Sequence, residues 1–379
     1  MYGWSPLPRN LGAALRDVQS PKARVRLSAV ADVARWAEGE EREQLIAVLV
    51  RLLGSDPDLE VQAAAALALA DVDAVEGLPA LIAAAQTGAP RVCQMSLLAI
   101  GELAAPAHPG ALDVVRMALD SGAPALRFQA LVAAHRLFED GDLQPRLRRA
   151  LGDVDSKVRY IACRIVEERY FSAARASTAA SPASPASSPP DATRPPAPGG
   201  SLPGEPAPLA AAAGLLDAVA ARLSDADPGV ALAAAVALAG SGSETARNLL
   251  VTTLNRPVRG LPLEDEQAAI ELCAELGLMA ARPGLVARTR SSLWGGASPL
   301  AFQAQVALAR LGDARAQQQI LRALSAFRRT TRSRAVAAAG QAGLQAARPR
   351  LLEMSKDERH ADPETVAVAL RALEAKSCL

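Results

Sequence analysis

The sequence predicts an all-α fold, a right-handed α-solenoid of about ten helical hairpins. Half of the 379 residues are hydrophobic but only 3% are aromatic. Small side chains, mostly alanine, must therefore fill the core, which favours closely packed helices over sandwiches or barrels. Tracts of Val, Ile and Thr with alternating polarity, the usual signal for strands, are not evident. The third observation is a helical sequence segment, here called the phrase, that is repeated along the chain.

That phrase first stands out as SDPDLEVQAAAALALADV, residues 55–72. We expect Asp56 to accept hydrogen bonds from the first free N–H groups of a helix, and Pro57 suits a first helical turn. Similar phrases begin at three later residues, namely Asp153, Asp225 and Ala361.

An apolar residue near the start of each such helix serves as an anchor. The anchors are Val25, Val61, Val92, Leu126, Val158 and Val230, and by continuing the register Glu266, Leu300, Ser333 and Val366. The first four gaps are 36, 31, 34 and 32 residues, and eight of the ten residues four positions after an anchor are Ala or Ser. Small residues let neighbouring helices approach closely. A second amphipathic helix lies between consecutive anchored helices, so each repeat is a hairpin that must stack on its neighbours.

A proline-rich tract interrupts the repeats. Residues 172–208 contain ten prolines and no apolar periodicity, which predicts a disordered linker. We therefore divide the chain into repeats 1–5 in residues 1–171, the linker in 172–208, and repeats 6–10 in 209–379. Either the linker loops out of one continuous solenoid or it tethers two lobes. We favour the loop, because separate lobes would need polar caps that the flanking helices lack.

Several anchored helices begin with an apolar residue followed by Arg. The motif is most complete at Asp155 with Val158-Arg159. The apolar–Arg pair is also present at Val25-Arg26 and Leu126-Arg127. The Arg is replaced at Val61-Gln62, Val92-Cys93 and Val230-Ala231. In these features the chain resembles the HEAT-repeat family, and more closely its bacterial branch of phycobilisome-lyase-type HEAT repeats. The resemblance implies a solenoid that serves as a binding surface, since few such proteins are enzymes.

The residues give little support for catalysis or metal binding. His108, His135 and His360 do not pair with each other or with Cys at the spacing of metal ligands, so we expect no metal and no cofactor. No nucleophile elbow, Walker loop or dinucleotide fingerprint is present. Cys163 lies on an apolar helix face and reads as an inert buried thiol. We therefore expect a protein that is not an enzyme, with a lyase- or glycosylase-like activity as the least favoured alternative.

The N-terminal residues show no secretory signal, and charged residues interrupt every apolar run, so no membrane span is predicted. The four cysteines are far apart in sequence and read as buried thiols of a reducing compartment. We expect a cytoplasmic protein.

Charge is concentrated in one region. Residues 282–350 contain twelve arginines and a single acid, Asp313, whereas residues 209–281 carry four basic and nine acidic side chains. We call residues 282–350 the basic band. Our candidate binding residues are its arginines near the turn AFRRTTRSRAV and just beyond it, namely Arg322, Arg328, Arg329, Arg332, Arg334, Arg348 and Arg350.

Such a band suits phosphate, an acidic protein segment or an anionic surface. The leading hypothesis is a non-enzymatic scaffold or adaptor that presents a concave helical surface to a protein partner, such as an acidic segment. The alternative is a nucleic-acid-binding module, although only Trp294, Phe302 and Phe327 could stack on bases in the band. Two further explanations stay open. The acidic repeats and the band could drive self-association, or the band could be a solvated face in a chain with 37 arginines and four lysines.

Overall fold

The computed structural model describes residues 10–37, 41–172, 213–256, 260–290, 299–356 and 359–377. Within these ranges every regular element is a helix, twenty of them α-helices that form ten successive hairpins. The predicted all-α fold and its repeat number are therefore confirmed. The predicted linker, apart from Ser172, lies outside the described residues. The chain divides into two compact units, Met1–Ile165 and Val166–Leu379.

Unit 1 contains five hairpins. Its helices are α1 Leu11–Asp17, α2 Ala23–Trp36, α3 Arg42–Ser55, α4 Leu59–Asp71, α5 Leu78–Thr87, α6 Pro90–Leu103, α7 Pro109–Leu119, α8 Pro124–Leu137, α9 Asp140–Leu151 and α10 Ser156–Val166, whose last residue already belongs to unit 2. Two rows of helices result. The anchored helices α2, α4, α6 and α8 pack side by side in one row, and α3, α5 and α7 form the other.

Unit 2 opens with a π-helical segment, Glu167–Ser172. Its helices are α11 Ala213–Ala220, α12 Pro228–Ala239, α13 Glu244–Asn255, α14 Leu263–Glu275, α15 Arg282–Arg290, α16 Pro299–Arg310, α17 Ala314–Ala323, α18 Arg329–Ala342, α19 Arg348–Met354 and α20 Pro363–Ser377. Here the anchored row is α12, α14, α16, α18 and α20. Short 3₁₀ turns lead into some helices of the other row, as at Met279–Ala281 before α15.

Glycines mark two of the closest approaches between anchored helices. A Cβ atom added to Gly101 on α6 would lie 3.0 Å from the Cα of Ala133 on α8. A Cβ added to Gly340 on α18 would lie 2.7 Å from the Cα of Ala369 on α20. Carbon atoms in ordinary contact are about 3.5–4.0 Å apart. The anchored rows therefore depend on small residues, as the repeat pattern predicts.

The predicted cap of α4 was wrong by two residues. Helix α4 begins at Leu59, and Asp58 caps it by accepting hydrogen bonds from the N–H groups of Glu60 at 3.0 Å and Val61 at 3.2 Å. Asp56 instead accepts the N–H of Asp58 at 2.9 Å. The extra residues are needed because α3 continues to Ser55, so the chain must turn before the next helix can begin.

Candidate functional site

The arginine that follows the anchor links neighbouring repeats. Arg26 at the start of α2 donates from Nε and Nη2 to the two carboxylate oxygens of Asp56, both at 2.8 Å, and from Nη1 to the carbonyl of Ser20 at 2.8 Å. Arg127 at the start of α8 repeats the arrangement with Asp153 and the carbonyl of Ser121. We call each such Arg–Asp pair a rung. A rung fixes the loop before its own helix and reaches the loop of the next repeat.

The rung carboxylates are ionised. Burial alone would raise the pKa of Asp56, but hydrogen bonds from Arg26 and from the N–H of Asp58, together with the Arg26 charge, lower that pKa below its ordinary value. Burial, Arg127 and the N–H of Asp155 act in the same way on Asp153, whose pKa is also lowered. The Arg26–Asp56 side chains are only 9% and 2% exposed. These pairs therefore serve the structure and leave no charge free for a ligand.

Three loops before anchored helices share an Asp-x-Asp pattern. They are Asp56-Pro57-Asp58, Asp153-Val154-Asp155 and Asp225-Ala226-Asp227. In each loop the first Asp accepts the N–H of the second, and the second caps the following helix. The two carboxylates are thus structural wherever this loop recurs.

The loop between α17 and α18 departs from this pattern. Ala326 and Arg328 occupy the places of the two aspartates, and α18 begins without a side-chain cap. Phe327, at the tip of the loop, is 99% exposed. We call Phe327, Arg328 and Arg329 the arginine ridge.

Arg332 occupies the rung position of this repeat. It donates to the carbonyls of Ala326 at 2.8 Å and Phe327 at 2.7 Å on its own loop, and to those of Arg359 at 2.9 Å and His360 on the next. Its position matches that of Arg26 and Arg127, so the predicted anchor Ser333 was wrong by two residues and Thr331 is the equivalent position. Arg332 therefore braces the loop that carries the ridge.

The other candidate arginines lie in three settings. Arg328 and Arg329 are exposed on the ridge, and Arg329 donates to the carbonyl of Ala361 at 3.2 Å. Arg348 and Arg350 lie on α19 and form ion pairs with Glu374 at 3.5 Å and Glu353 at 2.8 Å. Arg322 is exposed in the last turn of α17. The structure thus brings Arg328, Arg329 and Arg332 together and gives Arg348 and Arg350 acidic neighbours.

Arg334 lies beside a pocket of 280 Å³ between α15, α16, α17 and α18. Its guanidinium carbon is 5.5 Å from the centre of the Phe302 ring, a cation–π distance. The pocket is lined by Thr289, Ala301, Phe302, Gln305, Gln319, Ile320, Ala323, Thr331, Arg334, Ala335 and Ala338. We call this the Arg334 pocket. Its glutamines were not predicted, because polar residues that meet from different helices give no signal in the sequence.

The basic band supplies no free carboxylate to these arginines. Asp313, its one acid, accepts hydrogen bonds from the N–H of Ala316 at 2.9 Å and from Arg282 at 2.6 Å. Those two interactions lower the pKa of Asp313 below its ordinary value. Arg328 and Arg334 form no ion pair with any residue of the described ranges.

The predicted histidine and cysteine positions are also described, with the exception of Cys378. His108 caps α7 by accepting the N–H of Ala111 at 3.3 Å, and Cys93, Cys163 and Cys273 are buried and form no disulfide within the described residues. In the part of the chain that the structure covers, no group of three or more His, Cys, Asp or Glu side chains could hold a metal ion. No helix in that part is long and apolar enough to span a membrane.

A family model described as HEAT repeats matches residues 9–100. Residues 9–100 are therefore HEAT repeats. The match covers the first hairpins of unit 1, and the same hairpin, with its two rows of helices, continues through both units. No curated protein matches this chain in sequence. The narrower resemblance to the phycobilisome-lyase branch stays a prediction.

Several solved structures match most of this chain at low sequence identity. An engineered protein is 18% identical with a TM-score of 0.39, covering 96% of this chain and 98% of its own. Escherichia coli YibA is 13% identical with a TM-score of 0.41, covering 94% and 99%. Kap121p bound to Nup53p is 13% identical with a TM-score of 0.47, covering 97% of this chain and 40% of Kap121p.

Proposed function

We propose that this protein is a non-enzymatic scaffold or adaptor that binds an acidic segment of a partner protein on the arginine ridge. Stacked helical repeats present extended surfaces on which other proteins bind. The observation that carries the proposal is the α17–α18 loop, which exposes Phe327 between Ala326 and Arg328 at the places where three other repeats have two structural aspartates.

This replacement has a cost for the fold. Without an Asp at the position of Arg328, α18 loses a side-chain cap that typically stabilises a helix by about 0.5–2 kcal/mol. A fully exposed Phe gains nothing from burial within its own chain.

The chemistry of the ridge favours a protein ligand. Phe and Arg are enriched in protein interfaces, where they act as anchors. Arg328 and Arg329 would attract carboxylates, and Phe327 would fill an apolar recess of the partner. Because Arg332 holds the carbonyls of Ala326 and Phe327, the loop is already braced before a partner binds, which reduces the entropy lost on binding.

The proposed compartment is the cytoplasm. Cys93, Cys163 and Cys273 are buried and form no disulfide within the described residues, which supports a reducing environment.

A random peptide library displayed on phage and selected on the full chain tests the proposal. We expect the selected peptides to share two or more acidic residues next to an apolar one. Their affinity, measured by fluorescence anisotropy, should fall about tenfold or more in a Phe327→Ser/Arg328→Gln variant, the usual loss for a binding hot spot. Arg315→Gln is the matched control, because Arg315 is exposed on α17 outside both the ridge and the Arg334 pocket.

Two results would overturn this proposal. One is that the selected peptides lack acidic residues, or that they bind the Phe327→Ser/Arg328→Gln variant as tightly as the original chain. The other is binding of single-stranded DNA or RNA that is tighter than peptide binding and weakens steeply between about 50 and 200 mM salt, which would favour the nucleic-acid alternative.

A further inference from the structure

The Arg334 pocket has polar groups at its rim that form no hydrogen bond within the described residues. The side chains of Gln305, Gln319 and Thr331 make no hydrogen bond with any residue in the described ranges, and Arg334 makes no ion pair there. The hydroxyl of Thr289, in contrast, already donates to the carbonyl of Val286 at 2.8 Å. Arg334, Gln319 and Thr331 are exposed, so their donors are available to a bound molecule.

The inner wall of the pocket is apolar. Ile320, Ala335 and Ala338 are all at most 5% exposed, and the Phe302 ring lies beneath the Arg334 guanidinium. A volume of 280 Å³ corresponds to about nine water molecules, which is enough for one branched aliphatic side chain. Water released from an apolar wall by such a side chain favours binding.

Arg334 is oriented before a ligand arrives. Contact with the Phe302 ring restrains the plane of the guanidinium, and its N–H groups remain free at the edge of that plane. A planar fork of donors matches the two oxygens of a carboxylate. The pocket therefore combines an apolar recess with a single fixed cation at its mouth.

We infer that the Arg334 pocket binds an apolar side chain of the partner whose neighbouring acidic residue pairs with Arg334. This inference rests on the proposed function and names the chemistry that a second site adds to the arginine ridge. A leucine followed by a glutamate has this chemistry: the aliphatic side chain enters the recess, and the carboxylate accepts from Arg334 with the amide of Gln319 beside it. Charge supports this ligand, because the band around the pocket has no acid other than the occupied Asp313.

The test uses acetyl-Leu-Glu-amide as a probe and the full chain as receptor, with binding followed by saturation-transfer NMR. Acetyl-Leu-Gln-amide differs only in charge and should bind about tenfold more weakly, since charge-assisted hydrogen bonds to Arg are the strong ones. Arg334→Gln should abolish this preference for Glu. Arg334→Lys keeps the charge but loses the planar fork and should recover it only partly.

The ridge variant Phe327→Ser/Arg328→Gln separates the two proposals. This variant should lose affinity for the phage-selected peptides but bind acetyl-Leu-Glu-amide as tightly as the original chain. If the library yields acidic peptides while the dipeptide shows no preference for Glu, or while Arg334→Gln keeps that preference, the pocket inference falls and the ridge proposal stands. Tighter binding of acetyl-leucine would also overturn the inference, because it would assign the pocket to a chain terminus.

Discussion

Replacing Gly340 by Ala tests how closely the anchored row of unit 2 is packed. The added Cβ would lie 2.7 Å from the Cα and 2.8 Å from the Cβ of Ala369 on α20. These distances are about 1 Å shorter than ordinary carbon contacts. Because both groups belong to helix backbones or short side chains, the overlap can be relieved only by moving α18 away from α20.

The expected magnitude follows from two opposing effects. Overpacking of a core by one carbon costs about 1–3 kcal/mol, and Ala in a helix is more favourable than Gly by about 1 kcal/mol. We therefore expect Gly340→Ala to lower the free energy of unfolding by up to about 2 kcal/mol. In domains of this size each kcal/mol shifts the melting temperature by about 2–4 °C.

The same substitution at Gly54 is the matched control. Gly54 lies near the end of α3, and a Cβ added there meets nothing within 4 Å. Gly54→Ala should therefore stabilise the protein by about 0.5 kcal/mol through helix propensity alone. Gly101→Ala, with 3.0 Å to the Cα of Ala133, should lie between the other two variants.

Thermal and urea unfolding, followed by circular dichroism, measure this order. The reasoning is refuted if Gly340→Ala is as stable as Gly54→Ala, because the close approach of α18 and α20 would then have no energetic consequence.

Three further predictions follow from the rung, the ridge and a buried thiol. Asp56→Ala should lower the free energy of unfolding by about 3 kcal/mol, since it leaves Arg26 buried without its partner. A change of less than about 0.5 kcal/mol in the free energy measured by urea unfolding, the range of a neutral surface substitution, would contradict this. Because the pKa of Asp56 is lower in the folded than in the unfolded chain, its ionised carboxylate stabilises the fold above the unfolded pKa of about 3.9, and this stabilisation is lost as the pH falls through the folded pKa. Asp56→Ala should therefore lose less stability below about pH 4 than the original chain. Phe327→Ser should leave the melting temperature unchanged, and a decrease of more than about 3 °C would show that Phe327 packs within its own chain. Burial raises the pKa of Cys273 to about 12, so its thiol should react with a disulfide reagent at pH 8 only after unfolding, as judged by peptide mass.

The repeated helices could be predicted because their signals are local. Apolar spacing, Asp or Pro at helix starts and small residues at fixed positions all act within one hairpin, and the structure contains those hairpins in the described ranges. The sequence shows the arginine of each rung, such as Arg26, but it does not show which aspartate that arginine pairs with. Asp56 lies in the next repeat, so the pair depends on how hairpins stack. From the sequence alone, Asp56 is therefore indistinguishable from a helix cap.

The candidate site shows the same division. Clustered arginines were visible as a charge pattern, and the structure separates them by what each contacts. Arg332 donates to four carbonyls, whereas Arg334 lies over Phe302, two residues along the same helix. No charge count could distinguish them. Phe302 and Phe327 were both possible stacking residues in the sequence, and only the structure separates the exposed Phe327 from Phe302 under Arg334.

The rungs also distinguish the joints between successive repeats of unit 1. Where Arg is absent at the rung position, Gln62 donates to the carbonyl of Asp56 at 2.6 Å and Cys93 to that of Gly88 at 3.0 Å, both on their own loops. Neither side chain hydrogen-bonds to the next repeat within the described residues. The joints from α4 to α6 and from α6 to α8 thus rely on apolar packing, which is not directional, and on exposed ion pairs such as Arg91 with Glu60. The repeats of unit 1 are therefore joined in two chemically different ways, by a bidentate Arg–Asp pair at the Arg26–Asp56 and Arg127–Asp153 joints and by packing at these two.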